Sequence, residues 1–309
     1  MKIAVCIITC LRPYSLEKLL RSLNNLDFKK NKNLKIKIFI VDNDINGSAE
    51  KSIKRISKNY RWRIEYCVES RQGIPFARNR AVKESLSWAD FIAFIDDDEE
   101  ADKYWLDELI HAQKITNAHC VSGPVYPRFE HKAPDWVLKG KFFEKSATLK
   151  VGRTGNCLIK SDVLKQFKTP FDGALALTGG EDSDFFRRAR KKGYKIVWAS
   201  KAKAYHLIPK SRVNIKWLVM RAYRGANGDT RLALKYFSFP KAFARRICPG
   251  LYHLSQGIVG LPLSLIMGKS FLVKRLQDLS IGIGGLAGFY GFEYQEYKKI
   301  HGIEKNENN

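Results

Sequence analysis

Three aspartates and two glutamates close the run Phe91-Ile-Ala-Phe-Ile-Asp96-Asp97-Asp98-Glu99-Glu100. Residues 91–95 are all apolar and read as a buried strand that stops at Asp96. Adjacent carboxylates at a strand end repel one another, and a divalent cation relieves that repulsion. Hard cations take oxygen ligands, and Mg²⁺ commonly shares one or two carboxylates with substrate phosphates. Asp96 and Asp98 are therefore candidates for work at a cation–phosphate site. Glu99, Glu100 and Asp102 have a blander alternative as acids before a helix over about residues 101–114, where the dipole favours negative charge.

A second group is Thr178-Gly179-Gly180-Glu181-Asp182-Ser183-Asp184. Two glycines let backbone approach a ligand closely, and carboxylates follow as a helix begins. A carboxylate crowded by others has its pKa raised toward working pH, which suits a general base. A capped helix start explains the same residues equally well. Weaker signals sit at other strand ends. Asp42, after Phe39-Ile-Val, can accept from a nucleobase edge or serve only as a turn residue. Gly73-Ile-Pro-Phe-Ala-Arg78-Asn79-Arg80 opens a helix with donors for phosphates or carboxylates, or is a surface basic helix start. Thr9 and Arg12 lie in the loop after the first strand, where a nucleotide would rest. His206 follows a strand-like stretch at 195–200 and is either a metal ligand or structural.

These residues need elements to hold them. Strands are expected over residues 2–9, 36–41, 62–68 and 91–95, with helices from a Ser15 cap and over 48–58 and 74–87. Strand–helix alternation of this kind predicts an α/β fold, a mainly parallel sheet with helices on both faces. Function in such sheets sits at the carboxyl ends of strands, where the acids fall. After Arg212 the texture changes, so the chain divides into 1–212 and a basic, partly apolar helical region at 213–309. Residues 215–236 read as a basic helix. Residues 251–267 are apolar but interrupted by His253, Ser255, Gln256 and Pro262, short of the roughly 18–20 clean residues of a membrane span. With the glycine-rich stretch 281–292 they read as interfacial or re-entrant elements, or as a helical subdomain packed on the sheet. The polar tail after His301 is expected to fray.

The bulk numbers narrow the partners. A hydrophobic share of 45% in 309 residues excludes a disordered chain. The net charge of +24 points to nucleic acid, an anionic membrane face or phosphorylated small molecules. No RNA-recognition signature appears, and carboxylates at strand ends oppose binding of a phosphate backbone, so nucleic acid is disfavoured. The six cysteines form no CxxC or paired zinc spacing and read as inert thiols of a reducing compartment. Lys2 and the apolar stretch after it end at Arg12-Pro13 without a cleavage site. They read as a strand, and no export is expected.

Taken in order, residues 3–9 followed by Arg12, Val41-Asp42-Asn43, Gly73 with Ala77-Arg78-Asn79, Asp96-Asp97-Asp98-Glu99 and Gly179-Gly180-Glu181-Asp182 resemble the family 2 glycosyltransferases of the GT-A fold. Within that family the likeness is to bacterial members of the succinoglycan type, which build exopolysaccharide or lipopolysaccharide units. It covers roughly residues 1–212. The resemblance implies an inverting enzyme using Mg²⁺ or Mn²⁺ and a UDP- or GDP-linked sugar, with UDP preferred. It implies that Thr9, Arg12 and Asp42 bind the nucleoside, Asp42 on a uracil-type base, and that Arg78 holds the nucleotide side. Asp96 would lie near the ribose with Asp97 beside it, Asp98 would bind the metal, and Asp182 would be the general base with Glu181 its rival. His206 would be a further metal ligand. The QxxRW motif of chain-polymerising members is missing, since Tyr60-Arg61-Trp62 lies too early, and the tail lacks clean spans. Addition of one sugar to a glycan or lipid-linked acceptor, at the cytoplasmic face of an anionic membrane, is the resulting expectation. Residues 122–150 and the tail are expected to choose the acceptor. Two alternatives stand beside it. One is a catalytically inactive membrane- or nucleic-acid-binding scaffold. The other is a nucleotidyltransferase making sugar nucleotides, which would want a glycine-rich phosphate loop where residues 9–12 have no glycine.

Overall fold

Strands with no polar face need helices on both sides, and the first two-thirds of the chain supply them in alternation. The computed structural model describes residues 1–144, 152–292 and 294. Residues 145–150 of the expected acceptor stretch, and the tail after His301, lie outside these. The chain begins β1 (Lys2–Thr9), α1 (Pro13–Asn24), β2 (Lys35–Asp42), α2 (Glu50–Ser57), β3 (Arg63–Val68), α3 (Ile74–Ser85) and β4 (Phe91–Ile95). It continues through β5 (Glu99–Ala101), α4 (Trp105–Thr116), β6 (Cys120–Ser122), β7 (Val125–Phe129), α5 (Asp135–Gly140), β8 (Asn156–Lys160) and α6 (Ser161–Lys165). Then come α7 (Glu181–Lys191), β9 (Ile196–Trp198), β10 (Ala204–Ile208), α8 (Ile215–Tyr236), α9 (Phe239–Met267) and α10 (Lys269–Phe289).

The main sheet has the order β3-β2-β1-β4-β8-β6-β9, and only β8 runs against its neighbours. One apolar core fills the α1/α4 side and another the α3/α7 side, so the expected two-sided α/β arrangement is present. Leu16, Leu19, Leu20 and Leu23 of α1 are fully buried. Each contributes about 1.5–3 kcal/mol over remaining exposed. The helix starts at Pro13, not from a Ser15 cap: proline's preset φ suits a first helical position, where it has no needed N–H to lose.

Several short strands were not foreseen, and two of them matter most for the site. β5 and β10 pair antiparallel in a second sheet ordered β5-β10-β7, with His206 opposite Glu99. Glu99 and Glu100 are therefore strand residues and not acids at a helix start. β5, with three residues, is too short for a readable period, and β10, Ala-Tyr-His-Leu-Ile, has no clean alternation of apolar and polar residues.

Beyond residue 212, α8 packs on α10 through glycines. A Cβ at Gly284 would lie 2.3 Å from the Tyr223 carbonyl oxygen, and one at Gly288 would lie 2.8 Å from Thr230 Cβ. The glycine-rich 281–292 stretch is thus largely a close-packing helix face. Helix α9 runs unbroken over Pro249 and Pro262, longer than the 251–267 segment expected. By length and composition alone it is long and apolar enough to cross a membrane, where the sequence reading placed it short. Its Leu265 and Ile266 are 90% and 86% exposed.

Candidate active site

The carboxylates at the end of β4 are gathered by a tight reversal in which the Glu99 N–H donates to the Asp96 carbonyl oxygen. Above them lies the loop after β1, with Leu11 at φ +54°, a left-handed conformation rare for leucine. Thr9 Oγ1 donates to Asp97 Oδ2 at 2.8 Å, and Arg12 Nη1 donates to Asp97 Oδ1 at 3.2 Å and to Asp98 Oδ2 at 3.5 Å. From the other side β10 brings its own partners. The Leu207 N–H donates to the Asp98 carbonyl oxygen, and His206 Nδ1 lies 3.3 Å from Asp98 Oδ1.

These neighbours drive two adjacent aspartates apart. Burial pushes Asp97 up to about 7, with Asp98 adding to the rise and Arg12 opposing it. Burial also works against ionised Asp98, but His206, Arg212 and Arg12 outweigh it and hold Asp98 well below the usual carboxylate range. Asp98 is thus the member of the pair whose ionised form its neighbours favour.

Arg212 Nη1 donates to Asp98 Oδ2 at 3.3 Å and also lies 2.9 Å from His206 Nε2. With Arg212 against its Nε2, His206 turns Nδ1 toward Asp98. One positively charged group therefore touches both atoms that Asp98 and His206 would offer a metal. Among the described residues no three His, Cys, Asp or Glu side chains form a set able to hold an ion. The two-donor pair still fits a hard divalent cation that draws its remaining ligands from phosphates and water.

The second carboxylate group is positioned by α7. Gly179 and Gly180 have φ +76° and +91°, the left-handed region glycine occupies without a Cβ penalty, and they turn the chain into the helix. Arg78 of α3, buried, is shared between this turn and the aspartates: it pairs with Glu181 and donates to Asp96 Oδ1 at 3.1 Å. Burial raises the Glu181 pKa, Arg78 opposes the rise and Asp182 adds to it, while Glu181 Oε2 is buried without a hydrogen-bond partner. Asp182 is only half-buried. Gly155 packs over the group from β8's side, where a Cβ would meet Asp96 Oδ2 at 2.9 Å and Glu99 Oε1 at 3.0 Å.

All of these line one cleft of about 570 Å³: Thr9, Arg12, Arg78, Asp96, Asp97, Asp98, Glu181, Asp182 and His206. Asp42 does not. It is fully buried, and its carboxylate accepts from the N–H groups of Asp44 and Ala49 and from the Tyr66 hydroxyl. Nearby backbone donors leading into α2 hold its carboxylate, and Asn43 lines the cleft. Cys10 also lines the cleft, but burial and then the Asp42, Asp44 and Asp97 carboxylates push its thiol up to about 11. It offers no thiolate near neutral pH. All six cysteines are free.

Sequence reasoning missed the far wall. Arg212, Trp217, Arg221 and Arg224 face the same cleft, the last three from α8. The basic character of residues 215–236 was legible, but a helix pattern does not say what its charged face looks onto.

Residues 4–201 match the family described as glycosyl transferase family 2. The succinoglycan biosynthesis protein ExoM of Rhizobium meliloti is 30% identical over 235 residues, 74% of this chain and 74% of that protein. The glucosyl-dolichyl phosphate glucuronosyltransferase of Haloferax volcanii is 22% identical over 176 residues, 52% of this chain and 56% of that protein. The mannosyltransferase PcManGT from Pyrobaculum calidifontis, solved in complex with GDP-Man and Mn²⁺, superposes with a TM-score of 0.62. That superposition covers 92% of this chain and 86% of that one at 13% identity, a likeness of fold.

Proposed function

The chain belongs to glycosyl transferase family 2 and has a GT-A-like fold, and from that premise we propose an inverting enzyme that adds one sugar from a nucleotide-diphosphate donor to an acceptor hydroxyl. The observation that carries this reading is the meeting of Asp96, Asp97 and Asp98 with Asp182 over a single cleft. Asp182, half-exposed to that cleft, takes the acceptor proton as the oxygen attacks the anomeric carbon. The sugar–phosphate bond breaks on the opposite face, and the configuration inverts. Glu181 is the second candidate base, but its pairing with Arg78 suits it better to holding the turn. Asp98 and His206 would hold Mg²⁺ or Mn²⁺, which supplies Lewis-acid relief for charge on the leaving diphosphate. Arg12 and Arg212, both on Asp98, are placed to keep that carboxylate oriented.

The names of two relatives support the acceptor class. One is named for succinoglycan biosynthesis, and the other for acting on glucosyl-dolichyl phosphate. A glycan or lipid-linked acceptor of cell-surface polysaccharide synthesis fits both. The +24 charge and the exposed apolar face of α9 support peripheral docking on the cytoplasmic face of an anionic membrane. With Asp42 occupied in the turn into α2, a preference for UDP over GDP has no residue behind it here, and the donor screen decides it.

The test is a panel of UDP- and GDP-linked sugars, scored for metal-dependent release of nucleoside diphosphate and for raised Tm on binding. At least one donor is expected to score on both. Asp182→Ala should then lower transfer by about 10²–10⁴-fold. Transfer at the wild-type rate would remove the base assignment, and release of pyrophosphate in place of nucleoside diphosphate would mark a different reaction.

A further inference from the structure

Arg212 stands where β10 hands over to α8, and its backbone is fixed there. Its N–H donates to the Pro209 carbonyl oxygen, and the Asn214 side chain accepts from the Trp217 N–H to cap α8. The side chain folds into the cleft, with Nη1 3.3 Å from Asp98 Oδ2 and 2.9 Å from His206 Nε2. Arg12 also reaches Asp98, at 3.5 Å, so both arginines share the work of orienting that carboxylate. Arg212 adds the contact with His206. An imidazole nitrogen has one in-plane position, which a proton, a hydrogen-bond donor or a metal can fill, but not two of them at once. One such position of His206 is directed at Asp98, with Nδ1 3.3 Å from Oδ1, and the other at Arg212. Both are in use.

A divalent cation that takes Asp98 and His206 together must therefore displace a partner of one of them. The guanidinium is the partner that its charge repels. We propose that Arg212 is a resident counter-cation of the Asp98–His206 pair, which competes with the divalent cation and so makes its uptake depend on a nucleotide diphosphate. This rests on the metal assignment given above. The diphosphate supplies what the exchange lacks: oxygen ligands for the cation, and acceptors that match the forked donors of the guanidinium turned out. Because the backbone of Arg212 is tied into the turn, the exchange is a rotation of its side chain and leaves α8 in place. The guanidinium already lies 5.9 Å from the centroid of the Trp217 ring, and both residues line the cleft, so it stays beside the ligand when it moves. The chain then holds the cation weakly by itself. Cation and nucleotide strengthen each other's binding by the same factor.

Titration of the full chain with Mn²⁺, followed by electron paramagnetic resonance of the free ion, tests this by reading binding and not turnover. In the wild type, saturating UDP or GDP should tighten Mn²⁺ by about tenfold or more. Arg212→Gln should tighten Mn²⁺ without nucleotide by about tenfold, and should shrink the effect of nucleotide to about threefold or less. Arg12→Gln separates occupancy from charge, since it removes a positive group from Asp98 and leaves the contact between Arg212 and His206 in place. It should tighten Mn²⁺ by no more than about threefold. Equal gains from the two substitutions would overturn the proposal, by showing that any lost charge suffices. A wild type whose Mn²⁺ affinity is unmoved by saturating nucleotide would overturn it too, and that arm decides should Arg212→Gln not fold. Failure of the metal assignment looks different: no form of the chain then takes up Mn²⁺, with nucleotide or without it, and the proposal falls with the assignment.

Discussion

Along the sheet side of the cleft, charge is held in buried pairs. Along α8, it is carried on one face of a helix at the cleft's other side. Asp96, Asp97, Asp98 and Glu181 each have a cationic or hydroxyl neighbour at hydrogen-bond range, drawn from β1, α3, β10 or the turn before α8. Such crowding splits pKa values, with Asp97 pushed up and Asp98 held down. Arg221 of α8 sits beside the Trp217 ring, and a guanidinium needs no splitting to stay charged. The contrast separates two jobs: a set of carboxylates tuned by their neighbours, and a wall whose charge is fixed at any physiological pH.

The comparison breaks most visibly at Asp98. Asp98→Ala removes the carboxylate that its neighbours hold ionised and one of the two donors proposed for a cation. A loss of about 1,000-fold or more in donor turnover is expected, the equivalent of several kcal/mol of transition-state stabilisation. Turnover with and without added Mn²⁺ measures it, and retained metal-dependent turnover would refute the assignment. Next comes Arg78→Gln, which strands Glu181 in the interior with both oxygens short of partners. About 3 kcal/mol of folding stability should be lost. The companion Arg78→Met/Glu181→Leu pair should recover much of it, and urea unfolding of the three chains checks both.

How much of this was legible follows from which physical signal each residue carried. β4 and its acids were plain, because a run of five apolar residues ending in three aspartates has few readings. Gly179-Gly180 marked the turn that carries Asp182. Asp42 reads two ways because a strand-end aspartate looks alike whether it faces a ligand or its own backbone, and the hydrogen bonds it accepts from the Asp44 and Ala49 N–H groups are not visible in sequence. His206 was found as a candidate without its strand. The register of β10 against β5 sets it beside Asp98, and the five residues of β10, Ala-Tyr-His-Leu-Ile, do not alternate cleanly. Arg212, Arg221 and Arg224 were hidden because helical spacing defines a face but not what it looks onto.

The joint between the two regions gives an intermediate effect with a pH signature. Asp184 of α7 is fully buried and accepts from Lys235 and Tyr236 of α8 and from Arg188. Burial opposes its ionised form, yet these three donors outweigh burial and lower its pKa. A lowered folded-state pKa gives stability that is complete above the unfolded value, about 3.9, and is lost as pH falls through the folded one. Asp184→Asn should therefore cost about 2 kcal/mol at neutral pH. It should also flatten the acid limb of Tm against pH below about pH 4. An unchanged acid limb would show that the α7–α8 joint does not rest on this charge.

The smallest effect on the fold is expected farthest from the cleft, and it isolates what the outer helices are for. Leu265 and Ile266 are almost fully exposed, so Leu265→Gln/Ile266→Gln should change unfolding stability by no more than about 0.5 kcal/mol. If α9 docks on a membrane, the same two side chains leave water there, each contributing about 1.5–3 kcal/mol. Binding to vesicles containing anionic lipid should then fall by about 100-fold. Raising the salt concentration should weaken the wild type as well, because the +24 charge acts through a screened attraction. The two perturbations remove different terms, so they should add. Vesicle binding that responds to salt but not to the double substitution would mean that charge alone holds the chain at the surface. The exposed face of α9 would then have to serve something other than lipid.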